Sequence, residues 1–301
     1  MTAMSAPVRN RNLRSRRRDP RDRRSLLLTA LVWLGVAYFL LPLLWLAIAS
    51  TKDNADLFTT FGFAFGDEFN FVNNLIDLFA FRDGAFWRWT VNTIVYAGVS
   101  AVGATALATA AGYAFAKFAF PGRTFIFGAV LGSIMIPATA LALPTYLVFA
   151  NLGMVNTPWA IIIPSIVSPF GVYLMRVYAA DSVPDSLIEA ARIDGASEAR
   201  IFFSIGVRLM APGMVTVFLF SLVGVWNNFF LPLIMLSSSD LYPLTVGLAQ
   251  LNALSTGGGG STAVFSTVIT GSFISIVPLV VAFLYLQRYW QSGLAAGSTK
   301  E

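Results

Sequence analysis

Six stretches of this 301-residue chain, 26–50, 90–116, 124–150, 158–175, 209–236 and 264–287, contain no Asp, Glu, Lys or Arg. Each is predominantly apolar, and about 20 such residues suffice to cross a bilayer as a helix. The 20 basic and 15 acidic residues all lie in the tails and connections. The cost of placing an ionised side chain in hydrocarbon accounts for that segregation. Only 12% of the residues are charged, against about 25% in an ordinary soluble domain. The expected fold is therefore an all-α integral membrane protein with six transmembrane helices, and the 26–288 region is read as one membrane domain.

The charges also predict an orientation. With a cytoplasmic N-terminus, 17 of the 20 Lys and Arg fall on the inside. The outside retains only Lys52, Arg82 and Arg88, against seven carboxylates including Asp53, Asp56, Asp67 and Glu68. This is the positive-inside pattern, and it predicts that both termini are cytoplasmic. The first span, though Arg-rich at its start, is about twice as long as a signal-peptide core of roughly 7–15 residues, so it is expected to remain as an anchor.

The chain has no Cys and no His. The usual zinc, haem and Ser-His-Asp chemistries are out of reach, and no metal or cofactor is expected on it. No carboxylate or histidine lies within the spans to relay protons.

The connections differ in character. Residues 1–25 form a tail with nine arginines, read as an orienting anchor beside anionic lipid rather than as a nucleic-acid arm. The outer connection 51–89 carries many phenylalanines and is expected to form short interfacial helices, with Trp87 and Trp89 at headgroup level. The outer loop 237–263 is read as polar and flexible, with Gly257–Gly260 at its tip. That glycine run lacks the Lys-Ser or Lys-Thr of a phosphate-binding loop. The cytoplasmic C-terminal tail is placed at 289–301.

Within the membrane, Ala97, Ala101, Thr105 and Thr109 recur every four residues, as do Thr267, Gly271 and Ser275. Small faces of this kind let helix backbones approach closely. Prolines at 42, 137, 144, 164, 169, 232 and 278 interrupt the spans and favour kinks.

The cytoplasmic loop 176–208 reads as two short helices joined by a glycine. Ser182 is positioned to cap the first, with Pro184 in its opening turn and Asp185 three residues on. Leu187, Ile188 and Ala191 share one face. Gly195 stands where the chain must turn, and glycine takes positive φ without strain. Ile201, Phe202, Ile205 and Leu209 form one stripe of the second helix. Pattern alone leaves open a hairpin lying on the membrane surface or an element that docks a partner.

The run Glu189-Ala190-Ala191-Arg192-Ile193-Asp194-Gly195-Ala196-Ser197, followed by Ile201-Phe202 and Ile205, resembles the EAA loop of ABC-importer permeases. Asn92-Thr93, Tyr113-Ala114-Phe115-Ala116-Lys117, Phe120-Pro121-Gly122-Arg123, Asn156-Thr157 and Trp226-Asn227-Asn228-Phe229 with Pro232 are similar to the maltose-type carbohydrate branch. One departure is Val207-Arg208, where the family usually has Leu-Pro; Pro212 is in place.

The resemblance implies a permease subunit of an ATP-driven sugar importer, for a di- or oligosaccharide. Glu189, Ala190, Ala191, Asp194, Gly195, Ile201 and Phe202 would couple to a cytoplasmic ATPase dimer. ATP and Mg would be held by that partner, and this chain would not be an enzyme. A second homologous permease and an extracytoplasmic sugar-binding protein would complete the assembly, with Asn252 and Leu254 as candidate contacts for the latter. No nucleic acid is expected. Trp226, Asn227, Asn228 and Phe229 are candidates for the sugar path, with amides for hydroxyls and aromatic faces for the ring. Hydrogen bonding between helices explains the two amides equally well. Two other readings stay open: an ion-coupled secondary transporter, and a membrane enzyme acting on lipid-linked sugars.

Overall fold

A computed structural model describes residues 26–256 and 264–297. The Arg-rich tail and Gly257–Gly260 lie outside them. In chain order the helices are α1 (Leu26–Ala49), α2 (Asp56–Thr59), α3 (Phe71–Ala80), α4 (Ala85–Lys117), α5 (Arg123–Ser133), α6 (Ala138–Asn151), α7 (Trp159–Ser165) and α8 (Pro169–Ser182). They continue with α9 (Asp185–Ile193), α10 (Glu198–Ile201), α11 (Val207–Leu209), α12 (Ala211–Trp226), α13 (Phe230–Met235), α14 (Leu244–Thr256) and α15 (Phe265–Gly297). A π-helical turn, Phe202–Gly206, joins α10 to α11, and a 3-10 turn spans Ser239–Leu241. Among the described residues there is no strand.

Four spans are long enough to cross a membrane without a sharp bend: α1, α4, α7 with α8, and α15. Two more arise from bent pairs. The α5–α6 pair turns through 105°, and the segment 198–209 meets α12 at 75°. Six spans result when each bent pair counts as one. The third span is therefore not the single kinked helix that 124–150 suggested. Pro137 lacks an N–H and biases Ile136 away from helical backbone, so the helix stops and restarts at Ala138.

The chain divides into two compact units at Trp45–Leu46. In the first, the described residues are the apolar body of α1, with a mean hydropathy of 2.3 over the helix's best window. In the second, α4 is the central strut. It packs along α8 and α12, and α15 packs on α12, α3 and α14. The small ladder read from the sequence is the seam: Ala97, Ala101, Thr105 and Thr109 are all buried. Thr105 and Thr109 donate their hydroxyls to the carbonyls of Ala101 and Thr105, at 2.7 and 2.6 Å. Burial in an apolar seam therefore leaves neither hydroxyl orphaned. The second ladder also faces protein: Thr267 is buried, and Gly271 lies against Leu248 of α14, Leu78 of α3 and Phe86 of α4.

Two cores sit at opposite ends of α4. One gathers Leu78, Phe86, Trp89, Tyr96, Trp226 and Leu244. The other gathers Tyr113, Met175, Val183, Ile188, Ile201 and Met210. Trp89 thus belongs to the interior, not to the headgroup layer expected of it; Trp87 is exposed. Room for the Trp89 indole comes from Gly247 of α14, where a Cβ would fall 2.2 Å from the ring. α15 continues as helix to Gly297.

Candidate functional site

The loop 176–208 folds as the expected hairpin, but its start differs from the sequence reading. Ser182 closes α8, and the residue preceding α9 is Pro184, with no side-chain cap. Proline in extended backbone fixes the entry, so the hydroxyl cap is not used. The cap that does form is Ser197, whose Oγ accepts from the Arg200 N–H at 3.4 Å at the start of α10. Between α9 and α10, Gly195 has φ +78° with open space around its Cβ position. The turn is therefore a conformational demand on that residue, and no neighbour restricts it.

Two ion pairs fix the hairpin. Arg192 in the last turn of α9 donates Nε to Glu198 Oε1 of α10 at 2.6 Å, clipping the two helices across Gly195. Lys117, the last residue of α4, places Nζ 2.7 Å from Asp185 Oδ1 at the start of α9. The Lys117 side chain is 6% exposed and that of Asp185 78%, so an almost buried ammonium reaches its counter-ion at the surface. The hydrogen bond from Lys117 holds the Asp185 carboxyl below its ordinary value. That from Arg192 does the same for Glu198, while Glu198 raises Arg192 in turn. Folded carboxyl values below the ordinary ones mean that both pairs stabilise the hairpin above the usual carboxylate range. That contribution is lost as pH falls through the lowered values.

The candidate coupling residues divide by direction. Ile201 is 1% exposed in the core that gathers Tyr113 and Met210, the inner one by the orientation expected from the charges. Phe202 packs edge-on to Tyr113 of α4 with centroids 5.1 Å apart, and Ala191 is half-buried against the same cluster. These three anchor the hairpin to the membrane domain. Glu189, Ala190, Asp194 and Gly195 face outward. So does Ile193, an apolar side chain that is 86% exposed, with Phe203 and Leu187 also exposed nearby in sequence. Ile193 was not singled out from the sequence. Its signal was an apolar residue off the Leu187-Ile188-Ala191 face, directly before the turn.

Of the four sugar-path candidates, Trp226 closes a helix and the other three lie outside one. α12 ends at Trp226, and Asn227, Asn228 and Phe229 form a break before α13. Trp226 is buried in the core that gathers Leu78 and Trp89. Asn227 is exposed and donates Nδ2 to the Val223 carbonyl at 3.0 Å, satisfying the end of α12. Asn228 is half-buried; its Oδ1 accepts from the Leu231 N–H at 3.3 Å and its carbonyl accepts from Thr245 Oγ1 at 2.8 Å. Phe229 is exposed. Both amides serve the helix break, an arrangement that bilayer-depth backbone requires when it leaves the helix.

The described start of the outer loop, residues 237–244, is bound down. Five side chains of α4 hold it. Trp89 Nε1 donates to Ser239 O at 3.1 Å, Asn92 Nδ2 to Asp240 O at 2.7 Å and Tyr242 O at 3.1 Å, and Tyr96 Oη to Leu241 O at 2.9 Å. Thr93 Oγ1 accepts from Leu244 N at 2.8 Å, and Arg88 pairs with Asp240 at 3.3 Å. From the other side, Asn156 Oδ1 accepts from the N–H groups of Ser237 and Ser238 at 2.9 and 3.0 Å. The loop then becomes α14, with Leu244, Val246 and Leu251 buried. Asn252 and Leu254 are on the exposed side of this helix. We expect Asn156→Gly, which preserves the residue's φ of +58° but deletes its acceptor, to destabilise the fold by about 1–3 kcal/mol. Thermal unfolding of the purified protein measures this, and an unchanged midpoint would show that water replaces the amide.

Comparison with known proteins follows the same lines. The sequence profile of the binding-protein-dependent transport system inner membrane component family matches residues 104–291. The arabinooligosaccharides transport system permease protein of Halalkalibacterium halodurans is 35% identical over 279 residues, covering 91% of this chain and 97% of that protein. The galactooligosaccharides transport system permease protein of Bacillus subtilis is 33% identical over 279 residues, covering 92% and 94%. The crystal structure of a bacterial ABC transporter involved in the import of the acidic polysaccharide alginate contains a chain of the same fold. That chain aligns with a TM-score of 0.75 at 24% identity, over 88% of this chain and 95% of its own. With the family match running from the second half of α4 through the hairpin and into α15, the chain belongs to the inner membrane components of binding-protein-dependent transport systems.

Proposed function

We propose that this chain is the permease subunit of an ATP-driven oligosaccharide importer and that the α9–α10 hairpin docks on a cytoplasmic ATPase partner. The observation that carries the reading is the division of the hairpin. One side is pinned to the inner core by Ile188, Ile201 and Phe202. The other presents Glu189, Asp194 and the exposed Ile193 away from it. An apolar residue rimmed by charge on a clipped, anchored element fits a partner groove, because an anchored element passes a push inward instead of folding away from it.

The two oligosaccharide permeases that align over nearly all of this chain support the substrate class. ATP and Mg would belong to the ATPase partner, since no phosphate-binding loop is present in this sequence. A second permease subunit would face this one, and an extracytoplasmic binding protein would meet the α14 side, with Asn252 and Leu254 in reach. Termini and hairpin would be cytoplasmic, by the distribution of basic residues.

Glu189→Lys tests the docking. Like-charge juxtaposition at an interface can cost several kcal/mol, so the variant should insert normally and lose most co-purifying ATPase. A variant that retains its ATPase and its full binding-protein-stimulated hydrolysis would refute the assignment. Orientation is checked separately by a single cysteine at Ser197, which should resist impermeant thiol reagents in intact cells.

A further inference from the structure

We propose that the groove at the hairpin-side ends of the second, third and fourth spans binds the phosphate of an anionic phospholipid from the adjacent leaflet. The inference needs only the membrane fold and stands apart from the sugar and ATPase assignments. Two adjoining cavities open there, of about 640 and 450 Å³, and Arg123 and Arg176 line both. Arg123 begins the third span, and Arg176 follows directly on the charge-free stretch of the fourth. Both therefore stand at the boundary between hydrocarbon and water.

Each guanidinium is held in place with most of its donors unspent. Arg176 lies with Cζ 4.0 Å from the centroid of the Phe127 ring. Arg123 donates Nη1 to the Phe118 carbonyl at 3.1 Å. A guanidinium carries five N–H donors, so these contacts orient the two forks without exhausting them. Among the described residues, no carboxylate lies within ion-pair distance of Arg123 or Arg176. The carboxylate on these walls, Asp181, belongs to the second cavity.

Arginines that merely mark the cytoplasmic side extend separately into water. Here two converge on one concave wall, the geometry that recognises phosphate through paired N–H donors. The rest of the wall selects a lipid over a free anion. Phe125 is 81% exposed beside Arg123, and Val177 is exposed beside Arg176. These surfaces suit the glycerol and upper acyl region below a headgroup, and a hydrated inorganic ion would gain nothing from them.

The test is native mass spectrometry of the full chain, purified with its partner subunits from mixed phosphatidylglycerol and phosphatidylcholine. The wild type should retain phosphatidylglycerol in preference to phosphatidylcholine. The Arg123→Gln/Arg176→Gln double variant should lose that retention at least tenfold. Thr124→Glu, which puts a carboxylate on an exposed position of the wall, should do the same even if the double variant is not recovered. Equal retention by wild type and Thr124→Glu, or absence of any preference, overturns the proposal. Complete displacement by excess inorganic phosphate would also overturn it, by showing a free-anion site.

Discussion

Gly112→Ala, the addition of one methyl group in the middle of the protein, is expected to abolish recovery of folded protein. A Cβ at this position of α4 would fall 2.5 Å from the Met175 Cβ, 2.6 Å from the Arg176 N and 2.7 Å from the Met175 carbonyl carbon. Two of these atoms are backbone of α8, so no rotamer change relieves the clash and the two helices must part. Overpacking a close contact typically costs about 1–3 kcal/mol, and more where the backbone itself is the obstacle. At 1.4 kcal/mol per tenfold, about 3 kcal/mol lowers the folded-to-unfolded ratio more than a hundredfold. Gly98→Ala supplies the control in the same helix, because nothing lies within 4 Å of its Cβ position. There alanine should be neutral or stabilising by up to about 1 kcal/mol through helix propensity. The measurement is the yield of monodisperse protein after detergent extraction. Equal yields for the two variants would show that α4 and α8 are not in backbone contact.

Gly195→Val is expected to leave folding intact and to remove coupling. The residue's φ of +78° is a conformation that costs ordinary L-residues about 1–2 kcal/mol and β-branched ones more. Space is open there, so the penalty falls on the turn alone. Valine should rotate the turn into another conformation, break the Arg192–Glu198 clip and swing Ile193 away from its docking direction. Binding-protein-stimulated ATP hydrolysis should fall at least tenfold, with membrane insertion unchanged. Gly195→Asn should recover much of the loss, because asparagine tolerates the left-handed region. Stimulated hydrolysis at wild-type level in Gly195→Val would mean that the angle between α9 and α10 plays no part in coupling.

The features legible in the sequence were those written in charge and local spacing. Charge avoidance located the six spans, because the bilayer penalises each charge independently of neighbours. The Ala97-Ala101-Thr105-Thr109 ladder and the turn at Gly195 were equally local. What escaped was set by partners far along the chain. Trp89 looks interfacial until Ser239 and Gly247 are seen beside it. Residues 239–242 read as part of a flexible loop until the side chains of α4, about 150 residues earlier, are found holding their carbonyls. The break at Asn227–Phe229 was hidden because its two asparagines carry no charge and apolar residues resume at once after them, and hydropathy does not register whether a backbone is helical. Ser182 failed as a cap because Pro184 had already fixed the backbone that a cap would have set.

One dimension of α4 ties the two ends of the molecule together. The helix runs 33 residues without proline, a length of about 50 Å at 1.5 Å per residue. Its last residue grips the hairpin through Asp185, and its N-terminal part carries the donors and acceptor that hold residues 239–244. It is in effect a lever arm fixed to a load at each end. A tilt of about 5° about one end displaces the other by about 4 Å, which follows from that rise alone. A rotation of α4 about its hairpin end therefore arrives at the far rim as a displacement larger than a hydrogen-bond length, with no intermediate joint to absorb it.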